Sequence, residues 1–316
     1  MRRRIAGALP WTLVAPGAIW AVVRLGGWDQ WYPAAQLIAF TPYVLAGSLL
    51  ALAATALLRR WPATVVAALT VAALAACVLP RALPDSEAPP ATGVPLRVMT
   101  ANVLAGRASA ATLVRLVTED HVDVLAVQEL TPAFATALGQ AGMADVLAFK
   151  VLYPRPGVIG SGVYSRFALR DDGVRDNPYR YGQAKAVLIE TGVMIESVHP
   201  VAPSEASSLP GWRRSLTHQP PATVDGPLRV LAGDFNATLD HSLLRSLIAG
   251  GYRDAADVMG EGLTGTWGPY DGDLIPPVTL DRVLADRRIG VTSVEVFDLP
   301  GSDHRPVLAA LVLPSR

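Results

Sequence analysis

Residues 5–23, 33–58 and 61–80 contain no charged side chain, and no other feature limits the fold of this chain as much. Each run is near or above the ~20 residues that a helix needs to cross the hydrocarbon core of a bilayer. Pro10, Pro16, Pro33 and Pro42 interrupt them. Proline is a poor choice inside a soluble helix but is tolerated in a membrane span, where neighbouring helices satisfy the freed backbone groups. The sequence therefore predicts a membrane anchor of three transmembrane helices over residues 1–80. Arg2, Arg3 and Arg4 precede the first run, and Arg59 and Arg60 separate the second from the third. Basic residues favour the cytoplasmic side, so the chain after Pro80 is expected outside, with Trp28, Trp31 and Tyr32 at the outer interface. Arg24 runs against this rule. A cleavable signal peptide over residues 1–25 is the rival reading; it leaves two spans and the same external part.

Beyond Pro80 the chain has a different solvent. Its 316 residues have zero formal net charge, 51% hydrophobic residues and only 17% charged ones. Up to Pro80 the only charges are Arg2, Arg3, Arg4, Arg24, Asp29, Arg59 and Arg60. That leaves 21 of the 27 basic and 26 of the 27 acidic residues in 81–316, a balance of −5. This part is mildly acidic and long enough for one sizeable domain. Residues 81–95, rich in Pro and Ala, read as an extended linker, which gives the domain residues 96–316. The single cysteine, Cys77, lies in an apolar run as a small hydrophobe, so no intrachain disulfide is possible.

Within the domain, Leu96–Asn102 alternates like a strand, and 110–120 spaces Leu113, Leu116 and Val117 like an amphipathic helix. Val122–Val127 is a second strand. Thr131 and Pro132 then open a second helix as cap and first position. Strand, helix, strand, helix is the opening of a layered α/β domain. Strands follow at 160–166, 184–190, 193–199 and 228–236, with a Thr191-Gly192 turn suited to a hairpin. The proline-rich 200–227 reads as loop with a short helix near 212–216, and 251–277 as another long loop. A helix at 242–247 and strands at 279–284, 291–296 and 305–313 complete the pattern.

Polar residues recur at the ends of the apolar runs. Asp234 and Asn236 in Leu231-Ala-Gly-Asp-Phe-Asn236 are two apart on a strand and share a face, although Gly, Asp and Asn also serve turns. Thr100-Ala-Asn102, Val127-Gln-Glu129, Ser197-Val-His199, Leu280-Asp281 and Ser302-Asp-His304 repeat the arrangement. Together they predict a sheet with an active site along one edge.

These stretches, with Gly162–Arg166, His-Pro-Val-Ala-Pro after Val198, Leu280-Asp281-Arg282 and Ser302-Asp303-His304, occur in the order of the endonuclease/exonuclease/phosphatase superfamily, which the domain resembles. The resemblance implies a DNase I-like, four-layered α/β sandwich with a divalent metal at one end, Mg2+ by preference and Mn2+ as an alternative. Some members have an aspartate two residues after the first asparagine, where this chain has Leu104. Three spans before such a domain resemble the membrane-anchored bacterial members associated with glycopeptide-antibiotic resistance.

Hydrolysis of a phosphate ester needs a clamp on the phosphoryl oxygens, an oriented water and help for the leaving oxygen. On the resemblance, Glu129 is the metal ligand, assisted by Asn102 and Asp303. Asp281 and His304 form a carboxylate–imidazole pair, in which the carboxylate sets the tautomer and supports the charge. Asp234 orients or deprotonates the water, Asn236 holds a phosphoryl oxygen, and His199 donates to phosphate or the leaving oxygen. Glu129 at a helix start and Asp281–His304 as a structural ion pair are the plainer readings. Arg213 and Arg214 are candidate phosphate or headgroup contacts, against the plainer reading of a solvated pair, and Trp267 is a candidate for the rim. His121, His218 and His241 have no such context and read as surface residues.

The expected protein is a multi-pass cell-membrane phosphoesterase with an extracytoplasmic catalytic domain, acting on phosphate ester or pyrophosphate bonds of a lipid-linked substrate. Its expected partners are the bilayer and that phosphorylated substrate, and the sequence points to no protein partner in particular. A membrane-tethered nuclease is the enzymatic rival. Nucleic-acid binding draws on Lys and Arg, and an acidic domain whose only lysines are Lys150 and Lys185 argues against it. A non-catalytic binding module is the third reading.

Overall fold

The computed structural model describes residues 2–85, 93–271 and 274–315, with side chains from residue 10 onward, residue 271 excepted. Four helices make the amino-terminal part: α1 (Arg2–Gly26), α2 (Ala34–Leu37), α3 (Thr41–Leu57) and α4 (Trp61–Val78). Buried apolar residues hold the helices together: Ala21, Leu45, Leu74 and Val78 form one cluster, and Val14, Ala63 and Ala67 another. Among the described residues, two helical stretches, Ala34–Leu57 and Trp61–Ala82, are long and apolar enough to cross a membrane. The sequence led to three. The helix that differs is α1, whose last turn carries Arg24, and that side chain is committed to the carboxyl-terminal part.

Asp240 explains Arg24. Its buried carboxylate accepts from Arg24 Nε at 2.7 Å and from Arg81 Nη1 and Nη2 at 2.8 and 2.6 Å. Burial raises a carboxyl pKa, but the hydrogen bonds and charges of the two guanidinium groups outweigh it and hold Asp240 below its ordinary value. Arg81 is therefore buried structure and not free linker, Pro84 pairs with Met259, and the next strand already starts at Gly93. Of the expected 81–95 linker, residues 86–92 lie outside the described residues.

The carboxyl-terminal part has four layers. One sheet contains β1 (Gly93–Asn102), β2 (Val124–Gln128), β3 (Phe149–Tyr153), β4 (Ser161–Ser165), β11 (Gly290–Val296) and β12 (Val307–Pro314), in the order β11-β12-β1-β2-β4-β3. The other contains β5 (Leu169–Asp176), β6 (Gly182–Leu188), β7 (Met194–Val198), β8 (Arg229–Asp234), β9 (Tyr252–Asp254) and β10 (Asp281–Asp286), in the order β5-β6-β7-β8-β10-β9. Alternation along the central strands splits their side chains between two cores. Val98, Val124, Ala126, Ile195 and Val230 meet between the sheets, while Met99, Ala101, Leu125 and Val127 face outward. On that outer face lie α5 (Ala110–Glu119), α6 (Pro132–Gln140) and α7 (Met143–Val146), contributing Leu113, Phe134 and Met143. The opposite face is covered by α8 (Leu209–Thr217) and α9 (Ser242–Ala249) through Trp212, Leu216 and Leu244; α10 (Ala255–Val258) contributes Ala255 to the core between the sheets. Ser109 and Thr131 cap α5 and α6 by accepting from Thr112 N and Phe134 N.

Three strands, β3, β5 and β9, give no signal in the sequence pattern, and all three are sheet edges. An edge strand is half-wetted, and charge on it discourages pairing with a further chain. Leu169–Asp176, with three aspartates and two arginines in eight residues, reads as polar loop for that reason.

Arg282 lies wholly buried, its guanidinium bonded to the Asp254 carboxylate and to Thr279 O. Asp254→Ala leaves that cation without its hydrogen-bonded counter-charge and is expected to lower stability by about 3–5 kcal/mol. Denaturant or thermal unfolding of the purified protein checks this, and a loss under about 1 kcal/mol, the scale of an exposed pair, would contradict it.

Candidate active site

Chain direction gathers the site. β1 runs parallel to β2 and β7 parallel to β8, so the carboxyl ends of each pair fall together. β10 is antiparallel to β8 and starts where β8 finishes, with Asp281 opposite Asp234. Asn102 ends β1, Glu129 follows β2, His199 follows β7, Asp234 ends β8 and Asp281 begins β10. A Cβ on Gly233 would collide with the backbone of Val198. Glycine there permits the close approach that sets His199 Nε2 at 3.7 Å from Asp234 Oδ2.

Asn102 ties the two sheets together. Its Nδ2 donates to Glu129 Oε1 and to Asp234 Oδ2, both at 3.1 Å. Its Oδ1 accepts from Leu104 N at 3.0 Å, and Glu129 Oε2 accepts from Ala105 N at 2.6 Å. Leu104, Ala105, Glu129 and Asn236 all have left-handed backbone, with φ of 48°, 51°, 61° and 47°. Such conformations cost non-glycine residues ~1–3 kcal/mol each and cluster at functional sites. Here the strained turn replaces a possible acidic side chain at position 104 with two backbone amides aimed at Asn102 and Glu129.

The opposite wall comes from the loop before β12. His304 Nδ1 lies 2.8 Å from Asp281 Oδ2, and its Nε2 lies 3.7 Å from Asp234 Oδ2. Thr266 Oγ1 accepts from the amides of Leu280 and Asp281, both at 2.9 Å, and so fixes the start of β10. Ser302 Oγ donates to Asn102 O at 2.8 Å and accepts from His304 N at 3.1 Å, which fastens this loop to the tip of β1. Trp267 Nε1 donates to Asp303 Oδ2 at 3.0 Å.

Electrostatics separates the two histidines. Burial drives His199 down to about 4 despite the nearby Asp234 charge, so it is neutral at pH 7. Burial would also lower His304, but the charges of Asp281 and Asp234 and the bond to Asp281 prevail and push it up to about 10. His304 is therefore the cationic donor, its Nε2 proton directed into the cluster. Burial raises both Glu129 and Asp234 above the ordinary carboxyl range, against the hydrogen bonds of Asn102 and Ala105 in the first case and the charge of His304 in the second.

The donor set suits a divalent cation. Glu129, Asp234, Asp281 and Asp303 bring four carboxylates to one buried edge, and His304 is the one side-chain cation paired with them there among the described residues. Buried Asp281 Oδ1 and Asp303 Oδ1 have no hydrogen-bond partner, an expensive state for a carboxylate oxygen unless a ligand answers it. Ligand atoms of Asp234, Asp281 and His304 lie within 4.8 Å of one another. Because His304 is cationic and bonded to Asp281, the carboxylates are the better match for a hard ion that takes oxygen ligands.

The comparisons with known proteins bear on the family and the fold. Residues 99–304 match the profile of the Endonuclease/Exonuclease/phosphatase family. The chain belongs to that family. Its members are metal-dependent phosphoric ester hydrolases, and this protein is such an enzyme. Solved structures share the DNase I-like fold. A Bacteroides vulgatus endonuclease/exonuclease/phosphatase superposes with a TM-score of 0.52 at 16% identity, covering 70% of this chain and 100% of its own. A Beutenbergia cavernae homologue gives 0.54 at 17%, covering 70% and 72%. TDP2 from D. rerio, solved with a single-strand DNA product, gives 0.50 at 18%, covering 69% and 98%. No curated protein matches the chain in sequence.

Not every sequence candidate joins the cluster. Asn236 donates its side-chain amide to Pro200 O at 3.0 Å and its backbone amide to Asp234 Oδ1 at 2.8 Å, so it braces Asp234 from the rim. Arg213 and Arg214 are exposed on α8, away from the buried Trp212, Ser215 and Leu216, and none of the cluster's hydrogen bonds or ion pairs reaches them. His241, expected at the surface, is 2% exposed: its Nδ1 accepts from Thr238 N at 2.8 Å and its Nε2 lies 2.7 Å from Ala35 O. Sequence reasoning passed over Thr266, the Ala105 amide and Tyr181, whose ring lies 5.1 Å from that of His199. Thr266, beside Trp267, and Ala105, beside Leu104, stand next to residues that the sequence reading singled out; Tyr181 does not.

The 2.8 Å Asp281–His304 contact predicts that the two act as one unit. His304→Ala and Asp281→Ala should each slow turnover by roughly 10²–10⁴, and the double variant little beyond the worse single. Rates are read on variants that circular dichroism shows to be folded. Multiplicative losses would mean separate roles.

Proposed function

We propose that the protein is a membrane-anchored, Mg2+-dependent phosphoesterase that hydrolyses phosphate ester or pyrophosphate bonds of a lipid-linked substrate at the outer membrane face. One observation carries the reading. Trp267, bonded to Asp303 in the catalytic cluster, packs on the same small group, Ala39, Val278 and Leu280, as Phe40 at the base of α3. Tyr43, one turn further along, donates to Pro277 O at 2.7 Å. The rim of the active site and the start of an apolar helix thus share a wall, which suits a phosphate presented at the bilayer surface.

Glu129, with Asn102 and Asp303 beside it, would hold a divalent ion, Mg2+ or alternatively Mn2+, which would supply positive charge for the phosphoryl oxygens. Asp234, held by Asn102 and the Asn236 amide, accepts a hydrogen bond from the attacking water and aligns it. The cationic His304, supported by Asp281, donates from Nε2 to a phosphoryl oxygen as charge accumulates. The neutral His199 lies close enough to Glu129 and Asp234 to donate toward phosphate from the β7 side.

A membrane-tethered nuclease is the second reading, favoured by the single-strand DNA product in the D. rerio TDP2 structure and opposed by this domain's acidic balance.

Phosphate release from isoprenyl pyrophosphates, inositol phosphates and DNA, with and without EDTA, tests the proposal. The lipid-linked pyrophosphate should be the best substrate, EDTA should abolish turnover, and Glu129→Gln should keep the fold but lose most activity, since an amide is a poor ligand for a hard cation. DNA as the best substrate would favour the nuclease.

Orientation has its own test. The arginine distribution around the apolar runs predicts that a carboxyl-terminal alkaline phosphatase fusion is active and a GFP fusion dark. The opposite pattern would overturn the outward topology.

A further inference from the structure

The segment that begins with catalytic Asp234 ends, six residues later, in the buried Asp240. Around Asp240 the carboxyl-terminal part meets the helical anchor in several places at once. Arg24 comes from the last turn of α1 and Arg81 from just beyond α4, so two chain-distant anchor elements share one carboxylate. Arg24 Nη2 also donates to Leu239 O at 3.1 Å. Asp29 Oδ2 accepts from Ser242 N at 2.9 Å, and Gln30 Nε2 donates to Ser242 Oγ at 3.3 Å. His241 reaches Ala35 O, as described above.

Hydrogen bonds between guanidinium and carboxylate are directional, and buried ones are screened little by salt. A flexible tether would need none of them. Two cations from separate helices on one carboxylate fix an angle as well as a distance. The Trp267 wall lies at a second contact, through Val278 and Leu280. With two contacts, the catalytic edge cannot swing about either one.

We propose that Arg24 and Arg81, through Asp240, are positioning residues that hold the active-site edge at a fixed height and tilt on the membrane, so that a phosphate borne by a lipid in the bilayer is engaged in preference to the same phosphate in solution. This rests on the lipid-linked reading given above. The residues touch no reacting atom; they determine where the site meets the bilayer.

The test uses the full-length protein reconstituted in phosphatidylcholine vesicles, with two substrates of one chemistry: a long-chain isoprenyl pyrophosphate in the bilayer and its short, water-soluble counterpart. Wild type should prefer the bilayer-borne substrate. The double variant R24A/R81A should lose on the order of 10–100-fold in kcat/KM on it, the scale of a misplacement remote from the chemistry, while the soluble substrate changes by less than about twofold. R24K/R81K, which restores both charges but not the forked guanidinium geometry, should recover only part of the loss, and full recovery would mean that charge alone and not a fixed angle is at work. Equal losses on both substrates, or loss on neither, would overturn the clamp alone. A wild-type enzyme that hydrolyses only the soluble compound would sink the lipid-linked reading and the clamp with it. If the double variant is inactive on the soluble substrate because it does not fold, Arg24→Ala, which leaves both bonds from Arg81 in place, is judged by the same ratio.

Discussion

Two parallel strand pairs, β1 with β2 and β7 with β8, decide where everything else in the carboxyl-terminal part can go. A parallel pair needs a crossover, and the crossovers supply α5 over one sheet and α8 over the other. The same direction sends Asn102, Glu129, His199 and Asp234 to one edge. Helical layers and catalytic cluster thus have a common origin in strand direction, and the apolar contact between the sheets keeps the two halves of the cluster in register.

That edge is electrically unbalanced on purpose of the fold, in the sense that hydrogen bonds hold like charges together. Asn102 spans Glu129 and Asp234, which would otherwise repel, and the left-handed turn at Leu104 and Ala105 adds backbone donors. One histidine absorbs part of the excess and becomes cationic, while its neighbour remains neutral. A divalent ion would complete the charge pattern that the side chains leave open.

Much of this was legible in the sequence because buried central strands and their polar tips are written in adjacent residues. Asn102, Glu129, His199, Asp234, Asp281 and His304 each follow or interrupt an apolar run, and that pattern survives without any knowledge of pairing. The edges β3, β5 and β9 were illegible, since a half-wetted strand with aspartates and arginines resembles a loop. Arg24 and His241 were misjudged for a different reason. Their partners, Asp240 and Ala35, lie more than 200 residues away along the chain, and no local pattern records such a contact. Thr266 and Ser302 act by bonding backbone groups, a role open to any hydroxyl near a turn.

The docking of the anchor has a practical consequence for anyone who would cut the chain at Gly93 to obtain a soluble enzyme. Both sheets and every cluster residue would remain. The cut would nevertheless strip Asp240 of both guanidinium groups, uncover Val278 and Leu280, and leave His241 facing water where Ala35 had been. The fragment would carry a new sticky face next to Trp267, which bonds Asp303. Its solubility and its activity would therefore be poor guides to those of the intact protein.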